Sequence, residues 1–355
     1  MTAHSIEEYD VVRMFCELGY DVFSPGAYVD PKSPGDDMRP PIDDDHADHP
    51  ELREVLERVT VTDDRPDVLW NAKDHLPDEW IDWADVIICH HVEWRWLWPQ
   101  WERIKHKRVI WRTVGQSTHQ NEHQAMPFVH DGLEIVRYSP KEWNLPNFAG
   151  ADAMIRFYKD PKEWSGWDGR DGTVLLITQN PRDRAMWTHT HWAQKATEEL
   201  EAVWVGPGTE YMGGLGKVSP DQLRMLMRSS RAMLYTGTQP ASYTLALIEA
   251  MMTGMPVVSI GPSRMGMFPY SPRLFEAHCI APLYAEETKD ANELLRELIE
   301  DPFHAARVGA VSRSRAIALF GRDRIADAWD GWLTERRKPD PDPDLVDIAD
   351  IEGDE

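Results

Sequence analysis

GKVSPDQLRMLMRSSRAMLYTGTQPASYTLALIEAMMTGMPVVSIG, residues Gly216–Gly261, is the stretch that decides the fold. Ser219 stands as a helix N-cap with Pro220 at the first helical position, which predicts a helix after the turn at Gly216–Lys217. Ala232–Tyr235 then reads as a buried strand, Thr236–Thr244 as a polar loop, Leu245–Met252 as an apolar helix and Val257–Ile260 as a second buried strand. Strand, helix and strand in this order specify a parallel sheet with covering helices. The loop delivers the chain to a helix N-terminus, where free N–H groups and the positive end of the dipole stabilise an anion such as a pyrophosphate. Glu249 falls about a turn and a half into that helix, among Leu247, Ile248 and Ala250. A carboxylate in such surroundings needs a specific partner, because burying it unpaired is costly.

Outward from this stretch the alternation continues. Thr173–Thr178 and Ala202–Val205 are strands before it, and a short strand is expected near Cys279–Ala281. Three helices follow Glu287. The polar, turn-rich segment Phe157–Gly172 reads as a linker. Before it lies a second alternating series, with strands expected at Tyr20–Ser24, Val68–Trp70, Asp85–Cys89, Arg108–Trp111 and Glu134–Tyr138. It opens on a helix with Ser5 and Glu8 as a capping box and Gly19 at its end. The expected fold class is therefore α/β, two doubly wound Rossmann-like domains facing across a cleft. Residues 1–165 form the first domain, joined by a closing helix at 320–335, and 166–319 form the second. Residues 338–355, acidic and rich in Pro-Asp, read as a disordered tail.

Length and composition agree. A chain of 355 residues suits two domains of roughly 150–180 residues each. The net charge of −23 disfavours loose binding to anionic membranes or nucleic acid unless positive charge is concentrated locally. No apolar run approaches the ~20 residues of a membrane span, and no signal peptide is apparent. Cys16, Cys89 and Cys279 lie far apart without metal-ligand spacing, so a reduced, cytoplasmic protein is expected. Neither GxGxxG nor a P-loop follows the strand at Thr173–Thr178, which counts against a dinucleotide-dependent dehydrogenase.

LIEAMMTGMPVVS (Leu247–Ser259) and its surroundings resemble the donor-binding half of retaining GT-B glycosyltransferases of family four. The resemblance runs from about Thr173 to Leu333, and FGRDRIADAWDGWL (Phe320–Leu333) resembles the closing helix that crosses back to the N-terminal domain. It implies transfer of a sugar from a nucleoside diphosphate, UDP ahead of GDP, with retention and without a metal or other cofactor. Glu249 matches the Glu that accepts hydrogen bonds from the ribose; a salt-bridged structural carboxylate is the alternative. The family's first Glu falls at Ala241, so Gln239 or the backbone of Ala241–Tyr243 would take over the sugar contacts. Ser242, Tyr243 and Thr244 occupy the phosphate-facing loop, and Val218 matches a position whose backbone pairs with the nucleobase. Arg182 and Arg184 are the cations available to the leaving diphosphate, and the family's Lys is not obvious.

For the first domain the resemblance implies an acceptor site at loops following strands. His4 and Ser5 at the first helix, His90 and His91 after a strand, Gln116 in the next loop and Arg39 in the Asp30–His49 segment are its candidates, with His91 nearest the chemistry. A solvated lid describes Asp30–His49 better than a metal site, since its carboxylates and His residues lack a defined ligand spacing. Trp94–Arg112 concentrates six Lys/Arg and five Trp against one Glu. Trp94, Trp98 and Trp101 suit a buried helix face. The same composition also suits phosphate contacts and base stacking. HSIEEYDVVRMFCELGYDVFSPGAY (His4–Tyr28) looks like phage-encoded glycosyltransferases associated with DNA modification, which would make the acceptor a hydroxymethylated base. A small metabolite or glycan acceptor stands beside it. So do two other readings, a sugar-nucleotide epimerase and a nucleotide-sugar-binding protein without turnover.

Overall fold

The computed structural model describes residues 5–24, 42–56, 76–90, 94–115, 118–261 and 268–335. They divide into two compact units, one made of 5–155 with 326–335 and the other of 156–325. The strand expected at Val68–Trp70 and the tail at 338–355 lie outside the described residues.

The first unit opens with α1 (Ser5–Glu17). Gly19, at φ +85°, supplies the left-handed turn that follows it. The helix already includes Ser5, and the Glu8 carboxylate accepts the Ser24 hydroxyl at 2.5 Å, so Glu8 is engaged with Ser24. Tyr20–Ser24 forms no strand, a departure from expectation. Its backbone meets the 3₁₀ turn Asp45–Ala47, with the Val22 N–H donating to the His46 carbonyl at 2.8 Å. Next come α2 (Pro50–Leu56), α3 (Asp78–Trp83), β1 (Val86–His90), α4 (Trp94–Ile104), β2 (Arg108–Arg112), α5 (His119–His130), β3 (Glu134–Arg137) and β4 (Ala153–Met154). The four strands are parallel and lie side by side in chain order. The helices cover apolar side chains such as Ile135, Val109 and Trp111.

In α4 the buried stripe is Trp94, Leu97, Trp101 and Ile104, the i, i+3, i+7, i+10 face. Trp98 is not part of it: it is 66% exposed and touches Phe128 edge-on.

The second unit holds β5 (Asp171–Ile177), α6 (Ala185–Thr188), α7 (Thr190–Ala196), β6 (Ala202–Val205), α8 (Pro220–Ser229), β7 (Ser230–Tyr235), α9 (Leu245–Thr253) and β8 (Val257–Ile260). After these come α10 (Ser271–Leu274), α11 (Ala277–Ile280), β9 (Leu283–Ala285), α12 (Thr288–Glu300) and α13 (Pro302–Phe320). Ser219 and Gln222 form the full capping box of α8. The strand expected near Cys279–Ala281 is instead the helical turn α11, because the Cys279 and Ile280 N–H groups both donate to the Glu276 carbonyl; the strand itself, β9, comes four residues later. All five strands are parallel, in the order β6-β5-β7-β8-β9. From β5 the chain moves to one side and from β7 to the other, so β5 and β7 flank a topological switch point.

The last helix, α14 (Arg322–Glu335), gives its residues from 326 onward to the first unit. There Trp329 is fully buried edge-on to Phe15, Tyr20 donates to Asp330 at 2.7 Å, and Arg108 stacks 4.2 Å from the Trp332 ring.

Candidate functional site

Open parallel sheets bind ligands beyond the carboxyl ends of their strands, at the switch point. In the second unit two loops meet there, 178–189 after β5 and 236–244 after β7. Three hydrogen bonds tie them together. Thr236 Oγ1 donates to the Thr188 carbonyl at 2.8 Å, the Gln239 N–H donates to the Trp187 carbonyl at 2.8 Å, and Gln239 Nε2 lies 2.8 Å from His189 Nε2. Both members of that side-chain pair are buried. Gln239, expected to face a sugar, spends its amide on His189, a residue that the sequence reading passed over.

Thr244 is the N-cap of α9, yet among the described residues its hydroxyl makes no capping bond. The N–H groups of Leu245 and Ala246 likewise meet no acceptor there. Free N–H groups at a helix start beside the switch point are the feature that favours an anion in folds of this kind. Ser242 and Tyr243 precede it and are buried. Tyr243 does not present its ring to the loop surface: it packs edge-on against Phe157 and Phe320 and lies 5.9 Å from the Arg156 guanidinium. The Ser242 carbonyl accepts the Glu276 N–H at 3.0 Å, and Glu276 pairs with Arg156 at 2.7 Å, which anchors the loop from beneath.

Glu249 finds the partner its surroundings demand. Lys159 Nζ lies 2.7 Å from its Oε1, with both side chains at least 95% buried. Among the described residues no other group engages the carboxylate. Lys159 comes from the segment read as a linker, and a lone Lys after the run IRFY was its only sequence signal. Val218 follows the left-handed Gly216 and is half-buried. Arg182 is exposed and lies 5.2 Å from the Tyr211 ring; Arg184, half-buried, is the N-cap of α6.

In the first unit His90 ends β1 and Arg112 ends β2, directly opposite in the ladder. Glu7 reaches both: His90 Nδ1 lies 2.6 Å from Oε2 and Arg112 Nε lies 3.3 Å from Oε1, all three side chains buried. Burial alone would raise the Glu7 carboxyl, but the His90 and Arg112 charges and hydrogen bonds overcome it and bring it down to about 2. His90 thus sits at the expected strand end within a charge cluster with Arg112, read in the sequence only as part of the basic stretch, and Glu7, which carried no sequence signal. Of the other acceptor candidates, His4, Arg39, His91 and Gln116 lie outside the described residues, as does the side chain of Ser5. The described end of the Asp30–His49 segment is folded onto α1, with Ala47 in a cluster with Tyr9, Val12 and Cys16, so the lid reading does not hold for that end.

Much of the basic and aromatic stretch Trp94–Arg112 is engaged within the first unit. Trp94, Trp101 and Trp111 are core. Arg103 pairs with Asp78, Lys105 with Glu102 and Asp131, Arg108 with Glu134 and Arg112 with Glu7, while Lys107 donates to the Asp82 carbonyl. These pairings and buried rings give part of the stretch a structural role; Trp98 stays exposed, and the side chains of Arg95 and Trp96 lie outside the described residues.

Two parallel sheets of this construction define the fold of GT-B glycosyltransferases. Solved structures carry the likeness: a glycosyltransferase from Rickettsia africae matches with a TM-score of 0.60 at 10% identity, covering 94% of this chain and 96% of that one. HepE from Anabaena, solved in complex with UDP-glucose, matches with a TM-score of 0.56 at 14% identity over 73% of this chain and 81% of its own. Sucrose-phosphate synthase from Thermosynechococcus elongatus matches with a TM-score of 0.53 at 17% identity, covering 71% and 73%. No protein-family model matches the chain, and no curated protein matches it in sequence. No helix among the described residues is long and apolar enough to cross a membrane.

Proposed function

We propose that this chain is a glycosyltransferase that binds a nucleoside-diphosphate sugar, UDP ahead of GDP, at the switch point of the second sheet. The observation that carries the reading is the open N-terminus of α9, with unengaged N–H groups at Leu245 and Ala246. In the reaction the bond between the anomeric carbon and the diphosphate breaks, and the acceptor hydroxyl oxygen bonds to that carbon as its proton passes to the departing phosphate oxygen. The nucleotide leaves with the bonding electron pair and the charge that develops on it. Donors fixed in advance where that charge develops lower the barrier without a metal. The α9 N-terminus and Arg184 are assigned this role, and Arg182 would have to leave Tyr211 to join them. Glu249 is assigned to the ribose hydroxyls through the oxygen that Lys159 leaves open. Retention, implied by the resemblance to family four, belongs to the same proposal. The complexes of HepE with UDP-glucose support the choice of donor class.

The test is a panel of UDP-, GDP- and ADP-sugars, followed by calorimetric titration and by release of free nucleotide, with and without EDTA. Binding of at least one donor with EDTA-insensitive release is the expected result. A panel in which no sugar nucleotide binds would overturn the reading, and binding without any release would leave a sugar-nucleotide-binding protein.

A further inference from the structure

His189 is held in an unusual way for a residue with no role assigned to it. It takes the left-handed conformation, φ +54°, between α6 and α7, a backbone state that costs most side chains energy and gathers at functional sites. It is about nine-tenths buried, and burial brings its imidazole down to about 4 with no charged neighbour contributing. The ring is therefore neutral at ordinary pH. Its Nε2 faces the Gln239 amide nitrogen, a donor only, at 2.8 Å. With the amide nitrogen placed toward it, Nε2 accepts and the single ring proton sits on Nδ1. Among the described residues Nδ1 meets no partner. This places a fixed, uncharged N–H donor at the meeting of the two loops that flank the switch point.

We infer that His189 binds the diphosphate of the sugar-nucleotide through Nδ1–H, and that Gln239 is a positioning residue that holds the imidazole in the tautomer this requires. The inference rests on the nucleotide-sugar reading above. It also changes the part played by Gln239, which acts on the donor through His189. A neutral donor suits the site. It adds a directed hydrogen bond to the phosphoryl oxygens alongside the Leu245 and Ala246 N–H groups, and it brings no charged side chain into a buried position.

The left-handed backbone provides a clean test. His189→Gly relieves the backbone and removes the donor, whereas His189→Asn tolerates the same conformation and keeps an N–H near the position of Nδ1. UDP-glucose is the probe, titrated calorimetrically, with urea midpoints measured in parallel. The Gly variant should bind about tenfold more weakly or worse with no fall in its urea midpoint. The Asn variant should stay within about threefold of the unaltered protein. Gln239→Glu forces the proton onto Nε2, so its Nδ1 donates only when the ring is doubly protonated. Its affinity should therefore weaken as pH rises from about 5.5 to 8.5, while that of the unaltered protein stays level. Unchanged affinity in the Gly variant, an Asn variant as weak as Gly, or a level profile for Gln239→Glu would each overturn the inference and leave the nucleotide-sugar reading standing. If the unaltered protein bound no sugar nucleotide, that reading would fall and this inference with it.

Discussion

At the scale of single residues, buried charges are where structure and function compete for the same atoms. Glu249 is both the partner of Lys159 and the proposed ribose acceptor, and the two roles separate by experiment. Lys159→Met strands a buried carboxylate and should cost about 3–5 kcal/mol in urea denaturation. Lys159→Met combined with Glu249→Leu replaces the pair by apolar side chains and should recover most of that loss. If Glu249 also serves the nucleotide, this stable double variant still binds UDP-glucose at least about tenfold more weakly. Undiminished affinity would make the carboxylate purely structural. Glu7 supports a pH prediction. Its carboxyl lies at about 2 in the fold against a reference of 4.5. The native state therefore binds fewer protons than the unfolded chain, and the contribution is whole above 4.5 and lost as pH falls toward 2. That contribution is on the order of 3 kcal/mol. Glu7→Gln should flatten the fall in urea midpoint between these limits, and an identical slope in both proteins would refute it.

At the scale of elements, close approach decides what a position tolerates. Gly309 in α13 faces the end of α9: a Cβ there would lie 2.2 Å from the Gly254 carbonyl oxygen. Arg313, one turn on, donates to the Trp164 carbonyl at 2.7 Å and to the Met252 carbonyl, and so closes the C-terminus of α9. Gly331 in α14 has nothing within 4 Å of its Cβ position. The same substitution should then have opposite signs. Gly309→Ala should lose about 2 kcal/mol or more by pushing the helices apart, and Gly331→Ala should gain about 0.5–1 kcal/mol from helix propensity. Thermal melts of the two variants check both.

Elements of this kind were largely legible in advance. Ser219-Pro220 fixed the start of α8, and runs such as Val257–Ile260 could only be buried strands. What was illegible depended on distant chain. Nothing local says that Tyr20–Ser24 pairs with a 3₁₀ turn, or that Trp98 points outward when its helical spacing suits the core. The site divides the same way. The open start of α9 follows from its loop and helix, and Glu249 demanded some partner. His189 meets Gln239 across 50 residues, and Glu7 meets Arg112 across 105. No spacing rule reaches that far.

At the scale of the whole molecule, charge separates nucleotide binding from nucleic-acid binding. A chain of net charge −23 repels anions at long range, so an anionic ligand must be held by local, fixed donors. The proposed donors here are mainly uncharged, the Leu245 and Ala246 N–H groups and His189 Nδ1, with the half-buried Arg184 beside them. Screening weakens interactions between charges and hardly touches short hydrogen bonds to fixed dipoles, while it also relieves the unfavourable field of the protein. The affinity for UDP-glucose should therefore stay within about threefold between 50 and 300 mM KCl, drifting toward tighter binding. Binding through a row of paired Lys and Arg behaves oppositely, losing roughly 10³–10⁵ in affinity over a comparable rise in salt. Titrating UDP-glucose across that range distinguishes the two. A steep loss with salt would mean that cations, Arg182 and Arg184 foremost, carry the diphosphate by themselves, and that the helix start and the imidazole do not.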